Sequence, residues 1–471
     1  MKKTTFLIGL LCIFCFVSLT LATPKYPFPQ SVKYAHGILP TKISNDQVQA
    51  AYADFNSRLY EESGDKARIK WDTETQTVSE GIGYGMIIMV YMDNATNNTQ
   101  SKFDKLWKYY NAFLDAKGLM NWKITGFSSV VGQNAATDAE LDVAVGLMEA
   151  YKQWGDEKYL TDAKAFIAKI WKNEVDSGGL LSPGDSWGVF SSQRNPSYFS
   201  TAALDLFKKV DSSNWNRVLT NSYGLLMKSR NATTGLVPDW CSNSGQAQQP
   251  VFKYDAVRTP WRMSWAYCWN GNDTAKAVSS SIASWITTKT GGDPAKIGDG
   301  YNLDGTQTSQ YNNGTFVGCF ATAGLVDAKH QAWLDASYGR LSDTLVAVKE
   351  KYYSQSLKLL TLLLLSGNMP DFWNMPTTAV SPAPAAGSGK MSAVPAVSLD
   401  LRGAVVSVSN AVGACALDVY NSAGRRIAGP LFGYSDGSRV NFPLSKPLLP
   451  GAYRLRLKTE GNVVNRLVIA R

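Results

Sequence analysis

Three short stretches place carboxylates where a chain could use them. "SEGIGYGM" carries Glu80 ahead of three closely spaced glycines, "ATDAELDVAVGL" carries Asp138, Glu140 and Asp142, and "YDAVRTPWR" carries Asp255 beside Arg258. What is scarce narrows the chemistry. There are two histidines, His36 and His330, and neither lies in a nucleophile-type motif. A Ser-His-Asp or Cys-His site therefore has little to build on, and His330, in VDAKHQAW, reads as a helical surface residue. Beyond Cys12 and Cys15 the cysteines are Cys241, Cys268, Cys319 and Cys415, without metal-site spacing. A Cys241–Cys268 disulfide and buried thiols are both open readings. Acid–base work falls to the carboxylates, and the expectation is of no metal and no organic cofactor.

Read one at a time, these carboxylates are ordinary. Each sits at an expected helix start, where Asp138 and Asp255 are most simply N-caps. Glu80 alone is a capping-box member or a partner of the helix dipole. The positive end of a helix favours the anion, so position alone argues against Glu80 as an acid. The glycines after it read GxGxG, not the GxGxxG of a dinucleotide loop, and WDTETQTV before them is a poor buried strand.

The aromatic residues add a second line. All 14 tryptophans lie at or before Trp373, and Trp122, Trp187, Trp240, Trp261, Trp265 and Trp269 stand beside polar or glycine-containing stretches. Aromatic faces pack on the C–H faces of sugar rings while carboxylates and amides hold the hydroxyls. Any single Trp is as well explained by core packing. As a group they point to a carbohydrate groove.

The elements that must position these residues are helical. From Asn45 to Asn368 one amphipathic or apolar stretch follows another, most with apolar residues at i, i+3, i+4 and many opening on Ser, Thr, Asn or Asp. Apolar-rich and amphipathic helices alternate, which fits an inner and an outer ring better than a simple bundle. Residues 376–398 are rich in Pro, Ala, Gly and Ser and read as a linker. Beyond it the period changes from 3.6 to 2, giving a small β domain over 399–471, expected to be a sandwich.

Residues 1–22 have a basic start, an apolar run and a small-residue end at Thr20-Leu21-Ala22, and read as a secretory signal peptide, with a membrane anchor as the other reading. No later segment is apolar enough over a sufficient length to span a bilayer; LKLLTLLLL at Leu357 to Leu365 is too short. Residues from Pro376 onward hold 11 Lys+Arg against 4 Asp+Glu, and residues 23–375 hold 34 of each. The overall charge of +9 thus belongs to the tail and signal, and gives no reason to expect a nucleic-acid partner.

Taken together the three stretches resemble glycoside hydrolase family 8, inverting glycosidases that include endoglucanases, xylanases, lichenases and chitosanases. "SEGIGYGM", "ATDAELDVAVGLMEAYKQWG", "NPSYFS" at Asn195, "PDW" at Pro238 and "YDAVR" follow in the family's order across most of Tyr26 to Trp373. The resemblance implies an (α/α)6 barrel over 23–375. It implies Glu80 as general acid, Asp255 as general base and Asp138 holding the sugar at the cleavage point. Tyr198 and Arg258 would help place the attacking water and the base, and Tyr84, Trp122, Trp187 and Trp261 are the further substrate-binding candidates. One departure is Glu140, where the family usually has Asp. In this reading Gly81 and Gly83, without side chains, would let a sugar chain approach the helix start.

An Asp base in this position argues for glucan or xylan and against chitosan. The expectation is a secreted, monomeric, inverting endo-β-1,4-glucanase acting on cellulose or related β-glucan. A xylanase or mixed-linkage glucanase of the same family, and an enzyme trimming cellulose as it is made, are alternatives. A non-catalytic glycan-binding protein is disfavoured by the intact acid and base. The tail, "LDVYNSAGRRIAG…LLPGAYRLRL…NRLVIAR", resembles the C-terminal sorting domains of type IX secretion substrates, implying secretion machinery as a partner. Without a Trp it is a poor carbohydrate-binding module.

Overall fold

The computed structural model describes residues 23–187 and 192–375, and strands and short connections over 398–402, 405–409, 412–421, 425–436, 440–444, 448, 451–459 and 463–470. The expected signal segment 1–22 and nearly all of the linker 376–398 lie outside the described residues. Two compact units divide between 380 and 381.

The first unit has twelve α-helices among its described residues. Six are α2 (Ser79–Tyr91), α4 (Thr137–Trp154), α6 (Thr201–Phe207), α8 (Arg258–Asn270), α10 (Gly314–Thr322) and α12 (Tyr352–Leu365). Each packs on the next, and α12 returns to α2, so these six close a ring. The other six are α1 (Asn45–Arg58), α3 (Gln100–Ala112), α5 (Glu157–Glu174), α7 (Ser212–Ser229), α9 (Asp273–Thr290) and α11 (Gln331–Gly339). They pack in turn on α12, α2, α4, α6, α8 and α10, forming an outer layer.

The sequence explains the division. Ring helices are apolar on nearly every side: α12 is YYSQSLKLLTLLLL and is buried from Gln355 to Leu365. Outer helices carry one apolar stripe, as in α5, where Tyr159, Ala163, Phe166, Ile167 and Ile170 are buried.

Helix starts differ as well. Ser44, Asp156, Asp211 and Asn272 cap α1, α5, α7 and α9 with side-chain oxygens. Yet α2, α4 and α8 begin after Val78, Ala136 and Val257, which make no side-chain cap. Asp138 is the second residue of α4 and Asp255 lies in a turn before α8, so neither is the N-cap its position suggested. A small antiparallel sheet (Gln76–Val78, Lys123–Thr125, Ser129–Gly132) fixes the entry to α2, with the Ser79 amide donating to the Trp122 carbonyl at 2.9 Å.

One sequence expectation changes here and one open reading closes. His330 is buried, its Nε2 3.0 Å from Ser280 Oγ, because the turn Ala328–His330 tucks against α9. Cys241, Cys268 and Cys319 are buried free thiols. Among the described residues no helix is long and apolar enough to cross a membrane, and LKLLTLLLL is the heart of α12.

The second unit has two antiparallel sheets among its described residues. One orders 398–402, 405–409 and 440–443; the other orders 426–436, 412–421, 451–459 and 463–470. Val406 and Phe442 from the first sheet and Leu417, Val419, Leu455 and Leu457 from the second share one core. The two-residue spacing of Leu417/Val419 and Leu455/Leu457 is the alternation read from the sequence.

Candidate active site

The uncapped helix starts converge on one end of the ring. Glu80 is the second residue of α2, Asp138 the second of α4, Arg258 the first of α8 and Tyr352 the first of α12. Asn195, Ser197 and Tyr198 come from the short turn ahead of α6. Together with Trp71, Tyr254, Asp255, Tyr311 and Tyr353, several of these line a cleft of about 500 Å³.

Arg258 organises the site. Its side chain is 3 % exposed. One terminal nitrogen donates to Glu80 Oε2 and to Asp138 Oδ2, each at 2.6 Å. The other donates to Ser197 Oγ at 2.9 Å and to Asp255 Oδ1 at 3.2 Å. The guanidinium lies 5.2 Å from the centre of the Tyr198 ring. One fixed cation thus faces three carboxyl groups, and Glu80 and Asp138 share a single nitrogen of it. Two carboxyls that close, both buried, are not fully compensated by one cation, so a proton is retained.

The proton belongs to Glu80. Burial pushes its carboxyl up to about 7; Arg258 pulls it down, Asp138 pushes it up and Tyr352 pulls it down. The helix start and the cation are outweighed by loss of solvation, with the Asp138 charge adding to it. Tyr84 and Tyr352 complete its surroundings, the Tyr352 hydroxyl 2.7 Å from Oε1 and that of Tyr84 3.3 Å from Oε2. Asp138 is buried too and its carboxyl is raised by that burial, with Arg258 opposing.

Asp255 is held differently. Its side chain is 38 % exposed toward the cleft. Asn195 Nδ2 donates to Oδ1 at 3.0 Å and Trp240 Nε1 donates to Oδ2 at 3.1 Å. Asp239 accepts from the amides of Lys253 and Ala256 at 2.8 and 2.9 Å, so it ties down the turn on both sides of Asp255. The "PDW" stretch is therefore a cradle for Asp255.

A second buried layer lies behind. Arg262 makes a two-pronged pair with Asp142, at 2.5 and 2.6 Å, and stacks 4.3 Å from the Trp261 ring centre. Glu140, the departure from the family pattern, accepts from Tyr110 Oη at 2.8 Å and is fully buried.

The candidates separate cleanly. Glu80, Asp138, Asp255, Arg258 and Tyr198 come together. Tyr84 does not reach the cleft: it is fully buried and supports Glu80 from below. Trp261 is also fully buried, stacked 5.5 Å on Trp265, so neither can touch a sugar. Trp122 is 37 % exposed, and Lys123 Nζ bridges its ring and that of cleft-lining Trp71 at 4.7 and 5.4 Å. The side chain of Trp187 lies outside the described residues.

Asn195 lies in a motif with no role assigned by the sequence, and Trp240, one of the tryptophans pointing to a carbohydrate groove, instead aims Asp255. Sequence reasoning missed Tyr352 and Tyr353; their only signal is a doubled Tyr opening an apolar helix. Gly81 and Gly83 also gain a different meaning. A Cβ on Gly81 would lie 3.1 Å from the Tyr352 ring, and one on Gly83 would lie 3.0 Å from the Ala139 carbonyl oxygen. They admit neighbouring helices, not sugar.

An acid that keeps its proton near neutrality, facing an exposed carboxylate across one guanidinium, can protonate a leaving oxygen while the other group deprotonates water. Among the described residues no cluster of three or more His, Cys, Asp or Glu is arranged to hold a metal ion.

The chain is similar to known glycosidases. The model for Glycosyl hydrolases family 8 matches residues 26–367. Endoglucanase 2 of Ruminiclostridium josui is 35% identical over 378 residues, 75% of this chain and 79% of that one. Endoglucanase A of Acetivibrio thermocellus is 35% identical over 390 residues, 76% of this chain and 78% of that one. The apo structure of a β-1,3-1,4-glucanase from Paenibacillus sp. X4 superposes with a TM-score of 0.69 at 30% identity, covering 74% of this chain and 99% of that one.

Proposed function

The chain belongs to Glycosyl hydrolases family 8 and is a glycoside hydrolase; from that premise we propose a secreted, monomeric, inverting endo-β-1,4-glucanase acting on cellulose or related β-glucans. The observation that carries the mechanism is the single guanidinium of Arg258 bonded to Glu80, Asp138 and Asp255. Glu80 protonates the glycosidic oxygen. Asp255, aimed by Asn195 and Trp240, takes a proton from water on the opposite face of the sugar. Asp138 holds the hydroxyls of the ring at the cleavage point. The guanidinium stands between acid and base and keeps them from touching, in keeping with the wide separation of about 6.5–9.5 Å that an inverting pair requires.

The substrate class rests on the relatives' names and on the cleft. Three exposed aromatic side chains, Trp122, Tyr254 and Tyr311, stand along or beside it, as stacking surfaces for successive sugars should. The closed ring with its outer layer supports the (α/α)6 barrel. Mixed-linkage glucan is the second reading, favoured by the Paenibacillus neighbour. Export by residues 1–22, and sorting by the C-terminal β unit as in type IX substrates, belong to the same proposal. Initial rates on carboxymethyl cellulose, mixed-linkage glucan, xylan and chitosan, measured side by side, test it. The two glucans should be cleaved fastest, and a preference for xylan or chitosan would overturn the assignment.

A further inference from the structure

The mechanism so far leaves the start of α12 unused, yet two consecutive side chains there reach both halves of the site. Tyr352 is 1 % exposed and its hydroxyl meets Glu80 Oε1 at 2.7 Å. Tyr353 lines the cleft, and its hydroxyl donates to the main-chain carbonyl of Tyr254, the residue before Asp255. The Tyr254 and Tyr353 rings meet edge to face at 5.8 Å. The far end of Tyr254 is fixed as well, its hydroxyl donating to Asp299 Oδ2 at 2.6 Å.

The two oxygens of Glu80 are not equivalent. Oε2 accepts at 2.6 Å from Arg258, which can only donate, and has the Tyr84 hydroxyl at a longer 3.3 Å. A proton on Oε2 would compete with that bond. Oε1 faces a tyrosine hydroxyl, which both donates and accepts. The acid form of Glu80 therefore carries its proton on Oε1, at the oxygen that Tyr352 holds. Gly81 leaves the room for this: a Cβ there would lie 3.1 Å from Tyr352 Cε2 and 3.4 Å from its hydroxyl. Behind the two tyrosines α12 is buried leucine-rich helix, a rigid support.

We propose that Tyr352 and Tyr353 are positioning residues for the hydrolysis: Tyr352 directs the transferable proton of Glu80 to Oε1, and Tyr353 fixes the turn bearing Asp255. The first turn of α12 thereby sets acid and base against each other. This rests on the roles given to Glu80 and Asp255 above.

Kinetics over a range of pH separate the possibilities. The charged and titratable groups facing Glu80 are Arg258 from α8, Asp138 and Asp142 from α4, Tyr84 from α2, Tyr198 from the turn ahead of α6, and Tyr352 and Tyr353 from α12. Of these, Arg258 first and then the Tyr352 hydroxyl hold the Glu80 carboxyl down. Tyr352→Phe should lower kcat roughly tenfold, as loss of one charge-assisted hydrogen bond does. It should leave KM within about twofold and move the basic limb of the pH–rate profile upward. Tyr353→Phe should lower kcat without moving that limb. An unmoved limb in Tyr352→Phe overturns the Tyr352 assignment even if kcat falls, since a structural role would do no more. Wild-type kcat in Tyr353→Phe overturns the other half. Should Tyr352→Phe not fold, fluorotyrosine placed at 352 keeps the shape and strengthens the donor. The limb should then move down, and a wild-type limb again overturns the assignment. Glu80→Gln, run in parallel, isolates the premise: if it keeps near-normal activity, the acid assignment has failed, whatever the tyrosines do.

Discussion

At the scale of single residues the site turns on how one arginine divides its bonds. Glu80→Gln and Asp255→Asn should fold and lose at least about 10²-fold in kcat, since each removes one proton transfer. Near-normal turnover in either would end the acid–base assignment. The pH profile carries its own sign. Glu80 must be protonated to act, its carboxyl is raised to about 7, and so activity should fall as pH rises through that value. A profile flat to pH 9 would leave its proton unexplained. Trp240→Phe keeps an aromatic side chain, smaller than the indole, and removes the donor to Asp255 Oδ2, so kcat should drop roughly tenfold with KM little changed. The sequence made Glu80, Asp138, Asp255 and Arg258 legible because their motifs are local. It did not separate Tyr84 and Trp261 from true cleft residues. Burial is decided by which way a helix faces its neighbours, and Trp261 turns toward Trp265 and Arg262 inside the ring. Tyr352 was invisible for a related reason: it meets Glu80 across 272 positions of chain.

At the scale of elements the contrast is between helices that touch backbone to backbone and helices that do not. Gly83 on α2 packs against α4, where an added Cβ would sit 3.0 Å from both the Ala139 carbonyl oxygen and Asp142 Cβ. Replacing a helical Gly by Ala gains roughly 0.5–1 kcal/mol from the backbone, but overpacking costs about 1–3 kcal/mol, so the clash wins. Gly83→Ala should be destabilised and, because α2 and α4 carry Glu80 and Asp138, less active. Gly224 on the outer helix α7 is the control. An added Cβ meets nothing within 4 Å, so Gly224→Ala should gain about 0.5–1 kcal/mol. Thermal melts of both variants decide it: equal shifts of the same sign would refute the close-packing account. The helix pattern was readable throughout, and so was the division into apolar and one-striped helices. The starts were misread because Asp138 and Asp255 look like caps. The ring leaves the starts of α2, α4 and α8 uncapped and turns them toward the cleft, where the carboxylates are needed for other work.

For the molecule as a whole, several carboxyls are buried at a cost that depends on pH. Glu140, Glu149 and Glu174 are fully buried, and burial raises all three well above the ordinary glutamate range. The folded state therefore holds protons that the unfolded chain releases, and stability should fall as pH rises above the ordinary glutamate value. Surface carboxylates such as Asp211 and Asp327 are lowered by backbone hydrogen bonds and act the other way, in acid. They are only half-buried and contribute little. The melting temperature should thus be higher at pH 5 than at pH 8. Glu140→Gln keeps an acceptor for Tyr110 and removes one ionisable group, so it should narrow the difference, each pKa unit being worth about 1.4 kcal/mol. A melting temperature that rises from pH 5 to pH 8 would contradict the burial argument.

The division into two units makes the final test. Every residue placed in the site, from Trp71 to Tyr353, lies in the first unit, and the second has its own core of Val406, Leu417, Val419, Phe442, Leu455 and Leu457. Hydrophobic burial is local to each core, and a unit with its own core could in principle fold alone. A chain ending at Met375 should hydrolyse soluble glucan with kcat within about twofold of the full chain. The stereochemistry should be unchanged too, the fresh product appearing by NMR as the α-anomer, as inversion at a β-linkage demands. If the shortened chain keeps its rate on soluble glucan but loses it on insoluble cellulose, the β unit is a substrate anchor and not a sorting element. If it keeps both rates and fails only to leave the cell, sorting is the better account. Loss of activity on the soluble substrate would mean that the site depends on the second unit.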